Sequence, residues 1–181
     1  MNITLLLTLG APIVIVLSIV YLDKFKEPTD LILKTFFIGI LLCIPAGVLN
    51  DLLIDSYEQS YRAGLTEESL KFLVLYFYIR TQTAFDEPMD AIVYGTIISL
   101  GFATLENFSY VYYISSEAES LNTAILRSMS AIPLHATCGI IMGYFFGLHA
   151  FLNSKLALLQ SIVIPVGIHA SYNYLTGSQD L

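Results

Sequence analysis

Apolar runs of about twenty residues recur along this 181-residue chain, and no other feature restricts its fold so severely. A helix rises 1.5 Å per residue, and the hydrocarbon core of a bilayer is about 30 Å thick, so every run but the third is long enough to cross a membrane unaided. The runs cover residues 3–22, 31–49, 65–80, 90–114, 124–151 and 156–175. Only 13% of the residues are charged, about half the share usual in soluble domains. In lipid every backbone polar group must be paired internally, which leaves helices or closed barrels, and runs this long select helices. The expected fold is therefore all-α. It is a polytopic membrane protein of about six transmembrane helices in an open, conical bundle around a polar cavity, forming a single domain over residues 1–181.

The connections support that count. Asp23-Lys24-Phe25-Lys26-Glu27-Pro28 ends the first run, and Phe85-Asp86-Glu87-Pro88 opens the fourth, with Asp86 expected as the N-cap and Pro88 in the first turn. Residues 50–63 alternate acids and apolar groups, as an interfacial stretch does. The third run is apolar only over residues 70–79, so its polar start is expected against protein and not lipid. The first run lacks a basic leader and a small-residue cleavage site, and it is expected to be a retained span. Cys43 and Cys138 fall in different spans and are expected as small core residues without a disulfide. With six spans, Lys24, Lys26, Lys34, Arg80 and Lys155 lie on one side, and Arg62, Lys71 and Arg127 on the other. The side richer in lysine and arginine faces the cytoplasm, which places both termini outside it. Membrane lipid is the expected surrounding; nothing in the sequence is basic enough for nucleic acid.

Ionisable side chains within spans are costly and mark function by default. Glu67 and Glu68 open the third span; Glu106 lies seven residues before Tyr113, His135 eight after Arg127, and His169 six before Leu175. Each of the last three is then roughly 9–12 Å below the same membrane surface. His169 and Asn173, at i and i+4, share a helix face with Pro165. Gly139, Gly143 and Gly147 form a small-residue seam below His135, although such a stripe drifts about 40° per step, so only adjacent members are expected to face one partner. Glu67 is spaced to pair with Lys71 at i+4. Lys71 and Arg127 are expected to neutralise carboxylates or anchor span ends, His149 to be structural, and the tyrosines to form interfacial belts.

Carboxylates, imidazoles and an amide gathered in this way suit water activation and carbonyl polarisation. In one arrangement Glu67 is the base, Glu68 orients it or shares its proton, and His169 with Asn173 stabilises an oxyanion. In another, Glu106, His135 and His169 hold one divalent metal such as zinc, with Glu67 or Glu68 as base. Both hydrolyse a peptide bond, the first with no cofactor required. A proton- or cation-coupled carrier and a non-catalytic membrane scaffold are the alternatives. The former lacks inverted repeats, and polar groups confined to one half of the membrane favour chemistry over a transport route.

Glu67-Glu68-Ser-Leu-Lys71, Phe85-Asp86-Glu87-Pro88-Met-Asp90 followed by Ile92-Val-Tyr94-Gly95, Gly101-Phe102-Ala-Thr-Leu-Glu106-Asn107, His135 and His169-Ala-Ser-Tyr-Asn173 resemble the PrsW family, across about residues 65–175. That family is similar to the wider group of CAAX-prenyl and bacteriocin-processing proteases, in which a histidine stands where this chain has Glu106. The resemblance implies an intramembrane protease of glutamic or metallo type in a bacterial or archaeal plasma membrane. It further implies a membrane-anchored, single-span substrate of the anti-sigma-factor kind, cut near the extracytoplasmic face.

Overall fold

The computed structural model describes residues 3–177 and is helical throughout its secondary structure. The helices are α1 (Ile3–Leu22), α2 (Thr29–Leu53), α3 (Tyr61–Phe77), α4 (Pro88–Ser109), α5 (Ser120–Met129), α6 (Ala131–Leu152) and α7 (Lys155–Gly177). A π-helical turn, Tyr110–Ile114, extends α4. By length and composition α1, α2, α7, α4 with its π turn, and α5 with α6 could each cross a membrane. The 17-residue α3 is the exception. Its first turns carry Thr66, Glu67, Glu68 and Lys71, and all four are buried against other helices, as the short apolar part of that run requires.

The α4 helix is the centre of the bundle, packing on α1, α2, α3 and α6. Glycine decides how closely its neighbours approach. A Cβ on Gly139 would lie 2.6 Å from the Gly95 carbonyl oxygen, one on Gly143 2.2 Å from that of Ala91, and one on Gly147 2.9 Å from that of Pro88. All three glycines therefore meet α4, not just adjacent pairs. The two helices cross so that the contact follows the drift of the stripe. A second close crossing joins α2 to α4, where a Cβ on Gly101 would lie 2.2 Å from the Phe36 carbonyl oxygen. Between α3, α4 and α6 the apolar core is built from Leu75, Ile79, Tyr94, Ile98, Met142 and Phe146.

Four local details differ from the sequence expectation. The N-cap of α4 is Glu87, one residue later than Asp86, because the Asp90 carboxylate reaches back to accept the backbone N–H groups of Asp86 and Glu87, each at 2.8 Å. The span expected over residues 124–151 is broken at Ser130, and its first part, α5, is amphipathic. Pro133 three residues later belongs to the first turn of α6, where proline is tolerated. The interfacial stretch begins later than residue 50, since α2 continues to Leu53 and a 3-10 turn follows at Tyr57–Gln59. Lys71 pairs with Glu68 at i−3 and not with Glu67.

Candidate active site

The expected polar residues meet at one end of the bundle. From α3, Glu67 and Glu68 sit side by side and buried. Gly64, one turn earlier, lets α3 lie directly on α7, since a Cβ there would be 2.5 Å from the Ala170 backbone nitrogen. That contact brings His169 of α7 between the two carboxylates. Its Nδ1 lies 2.8 Å from Glu68 Oε1, and its Nε2 lies 3.8 Å from Glu67 Oε2. The α6 helix adds His135, whose ring stands edge-on to that of His169 with centroids 4.9 Å apart. The α4 helix adds Glu106, whose Oε2 is 3.0 Å from His135 Nε2.

Three cations or dipoles complete the network. The Lys71 ammonium is fully buried, donates to Glu68 Oε1 at 2.8 Å, lies 2.9 Å from His135 Nδ1 and sits 4.3 Å from the centre of the Phe102 ring. Arg127 of α5 donates from Nη2 to Glu106 Oε2 at 2.7 Å and from Nε to Asn107 Oδ1 at 3.0 Å. Its guanidinium lies 3.9 Å from the ring centre of Tyr110, the first residue of the π turn. From the end of α2, Asn50 donates its amide to Glu67 Oε1 at 3.2 Å and accepts the Thr66 hydroxyl. Glu67 Oε2 is buried and has no hydrogen-bond partner, although it faces His169. A buried carboxylate oxygen left without a donor is costly and implies an occupant such as water or a cation.

Asn173 is the one expected site residue outside this network. Its amide faces the Ser60 carbonyl at 3.4 Å, and Ser60 Oγ donates back to the Asn173 carbonyl at 3.0 Å, tying the end of α7 to the start of α3. His149 lies at the far end of α6, with Nδ1 3.2 Å from the Ser154 carbonyl, away from this network. Both cysteines are free, and Cys138 Sγ faces the Pro165 carbonyl at 3.7 Å.

Sequence reasoning did not assign the contact between Lys71 and His135, the Arg127 clamp on Asn107 or the hydrogen bond from Asn50. Asn50 carried a signal, being an amide placed where an apolar run ends. Arg127 carried another, since it lies eight residues before His135 and so at the same end of the bundle. The pairing of Lys71 with His135 bridges 64 positions and had none.

Among the described residues, one group could hold a metal ion: Glu67, His135 and His169, with donor atoms within 4.8 Å of one another. Glu67 thus takes the place that Glu106 had in the expected set. Two of the three donors fit. Glu67 Oε2 is unpartnered, and His169 is turned by Glu68 as metal-binding histidines commonly are by a carboxylate. His135 does not fit in this arrangement, because its Nδ1 faces an ammonium and its Nε2 a carboxylate already bound to Arg127.

Residues 27–181 match the family described as PrsW family intramembrane metalloprotease. The chain is 36% identical over 176 residues to Protease PrsW of Geobacillus kaustophilus (strain HTA426), covering 91% of this chain and 76% of that protein. It is 34% identical to Protease PrsW of Bacillus subtilis (strain 168), covering 91% and 79%, and 32% identical to that of Shouchella clausii (strain KSM-K16), covering 97% and 85%. No solved structure matches the chain.

Proposed function

The chain belongs to the PrsW family of intramembrane proteases, and from that premise we propose that it cuts a single-span, membrane-anchored protein with Glu67 as the base that activates water. The unpartnered, buried Glu67 Oε2 facing His169 Nε2 at 3.8 Å carries this reading. A water lodged against that oxygen loses its proton to Glu67 as its own oxygen attacks the scissile carbonyl carbon. The same proton then passes to the amide nitrogen as the carbon–nitrogen bond breaks, releasing an amine and a carboxylic acid. The acid's remaining proton passes to the amine to leave an ammonium and a carboxylate. Glu68 holds His169 by Nδ1 and so aims Nε2 at the reacting atoms. His169, protonated on both nitrogens with Nδ1–H on Glu68, donates from Nε2 to the oxyanion, together with Asn173 if its amide leaves the Ser60 carbonyl. Glu106, clamped by Arg127, holds His135 against His169.

A divalent metal bound at Glu67 and His169 would polarise the carbonyl and acidify water. With a metal there, Glu67 would be a ligand and the part of the base would pass to Glu68, whose Oε2 also has no partner.

The active end faces the extracytoplasmic side, with both termini there. Lys24, Lys26, Arg80 and Lys155 lie in or beside the connections at the opposite end, and Lys34 lies near them in the first turns of α2, as expected for the cytoplasmic face. A membrane-anchored protein of the anti-sigma-factor kind, cut just below the outer surface, fits that geometry.

The test is cleavage of a single-span substrate by the protein reconstituted in liposomes, alongside Glu67→Gln, Glu106→Gln and His135→Ala. Each variant is expected to retain its fold and lose at least about a hundredfold in rate, the usual contribution of a positioned base. Unchanged cleavage in any two of the three defeats the assignment. Metal analysis of the same preparation, with chelation, separates the mechanisms: stoichiometric zinc that leaves together with activity would require the metal form.

A further inference from the structure

Lys71 is the most deeply buried cation in the molecule's catalytic end, and the water-activation scheme above gives it no step. Its ammonium has three neighbours: Glu68 Oε1 at 2.8 Å, His135 Nδ1 at 2.9 Å and the face of Phe102 at 4.3 Å. A carboxylate and an aromatic face both favour the charged amine. An ammonium has three hydrogens and no lone pair, so its contact with His135 has one polarity only: Nζ–H donates and Nδ1 accepts. A neutral imidazole with a lone pair at Nδ1 carries its proton at Nε2. There it meets Glu106 Oε2 at 3.0 Å, an acceptor that Arg127 holds in place. The two ends of the ring therefore demand the same tautomer.

We propose that Lys71 is a positioning residue that fixes His135 as the Nε2–H tautomer, a donor with no lone pair left for a metal or for a proton from water. His135 is then the rigid partner against which His169 is set, and the unpartnered Glu67 Oε2 is the acceptor left to take a proton from water. Lys71 acts through Glu68 and His135 and touches no reacting atom. The proposal rests on the hydrolytic reading of this site, but the tautomer is measurable without any substrate.

The experiment is nitrogen NMR of the full chain labelled with ¹⁵N-histidine in detergent micelles. The three histidines are assigned by loss of signal in His135→Gln, His149→Gln and His169→Gln. In the wild type His135 is expected to show a protonated Nε2 and an unprotonated Nδ1 shifted as a hydrogen-bond acceptor. In Lys71→Met the Nδ1 signal is expected to move toward that of a free imidazole nitrogen, and kcat to fall about 10- to 100-fold with KM changed less than about twofold, the usual range for loss of an orienting partner. Should Lys71→Met fail to fold, Lys71→Met with Glu68→Gln removes both charges together and reads the same resonance. Lys71→Arg, which keeps a cationic donor, is expected to restore the acceptor shift. A wild-type His135 protonated at Nδ1, or His135 signals identical in wild type and Lys71→Met, would overturn the assignment. An intact tautomer signature in a wild-type protein that cleaves nothing would instead defeat the hydrolytic reading and leave the positioning role standing.

Discussion

The two ends of α4 each bury acids, and they dispose of the charge in opposite ways. At the catalytic end Glu68 and Glu106 lie within 2.8 Å of Lys71 and 2.7 Å of Arg127, respectively, with two histidines between them. At the other end Asp23 and Asp90 are buried beside Tyr94, whose hydroxyl donates to Glu27. The nearby Lys26 ammonium is spent on the backbone carbonyls of Val20, Tyr21 and Asp23. One oxygen of Asp23 and one of Asp90 have no partner. Burial therefore pushes the Glu27 carboxyl up to about 7, with Asp90 and Asp23 adding to the rise and the Tyr94 hydrogen bond opposing it. Where cations are built in, Glu68 and Glu106 are paired with them; where none reaches, Glu27 keeps its proton toward neutral pH. The first arrangement suits a reaction centre and the second a joint between the α1–α2 connection and the start of α4.

Removing a built-in cation should do the most damage. Lys71→Met leaves Glu68 as an uncompensated buried charge and is expected to cost about 3–5 kcal/mol, read from unfolding in detergent by circular dichroism. A loss below about 1 kcal/mol would break the contrast between the two ends. Next comes the seam that holds both ends on one axis. Gly143→Leu drives a side chain into the Ala91 carbonyl and is expected to cost at least about 1–3 kcal/mol. It should also lower cleavage, because His135 rides on the same helix.

A smaller effect is a pH dependence confined to the cation-free end. Glu27 titrates at 4.5 when unfolded and about 7 when folded, so the native state holds a proton that the unfolded chain has released between those values. Its contribution to stability is complete below about pH 4.5 and fades as pH rises through 7. The melting temperature should therefore fall across that window by more in the wild type than in Glu27→Gln; equal slopes would refute the assignment. Smallest of all is Glu27→Gln itself near pH 5. The amide resembles the protonated acid, and the change should stay within about 0.5 kcal/mol.

Much of this was legible in the sequence. The helical spans, and the gathering of Glu67, Glu106, His135 and His169 at one depth, follow from counting residues between polar groups and span ends. The partner choices inside the cluster do not. Lys71 can reach either glutamate along α3, and Glu68 wins because His135 and Phe102 surround the ammonium on that side. Asn173 shares a face with His169 as its spacing requires, yet its amide is drawn to the Ser60 carbonyl, which sequence does not place beside it. The break at Ser130 escaped notice because α5 and α6 read as one apolar run, although Pro133 marks a helix start.

The close crossing of α2 and α4 at Gly39 and Gly101 has a mechanical consequence for the base. It gives α2 a fulcrum eleven residues before Asn50, a lever arm of roughly 16 Å along the helix axis. A tilt of about 5° about that point swings Asn50 by about 1.4 Å, which is enough to lengthen its 3.2 Å hydrogen bond to Glu67 past useful range. The hold that Asn50 has on the Glu67 carboxylate thus depends on how the glycine crossing seats α2 against α4.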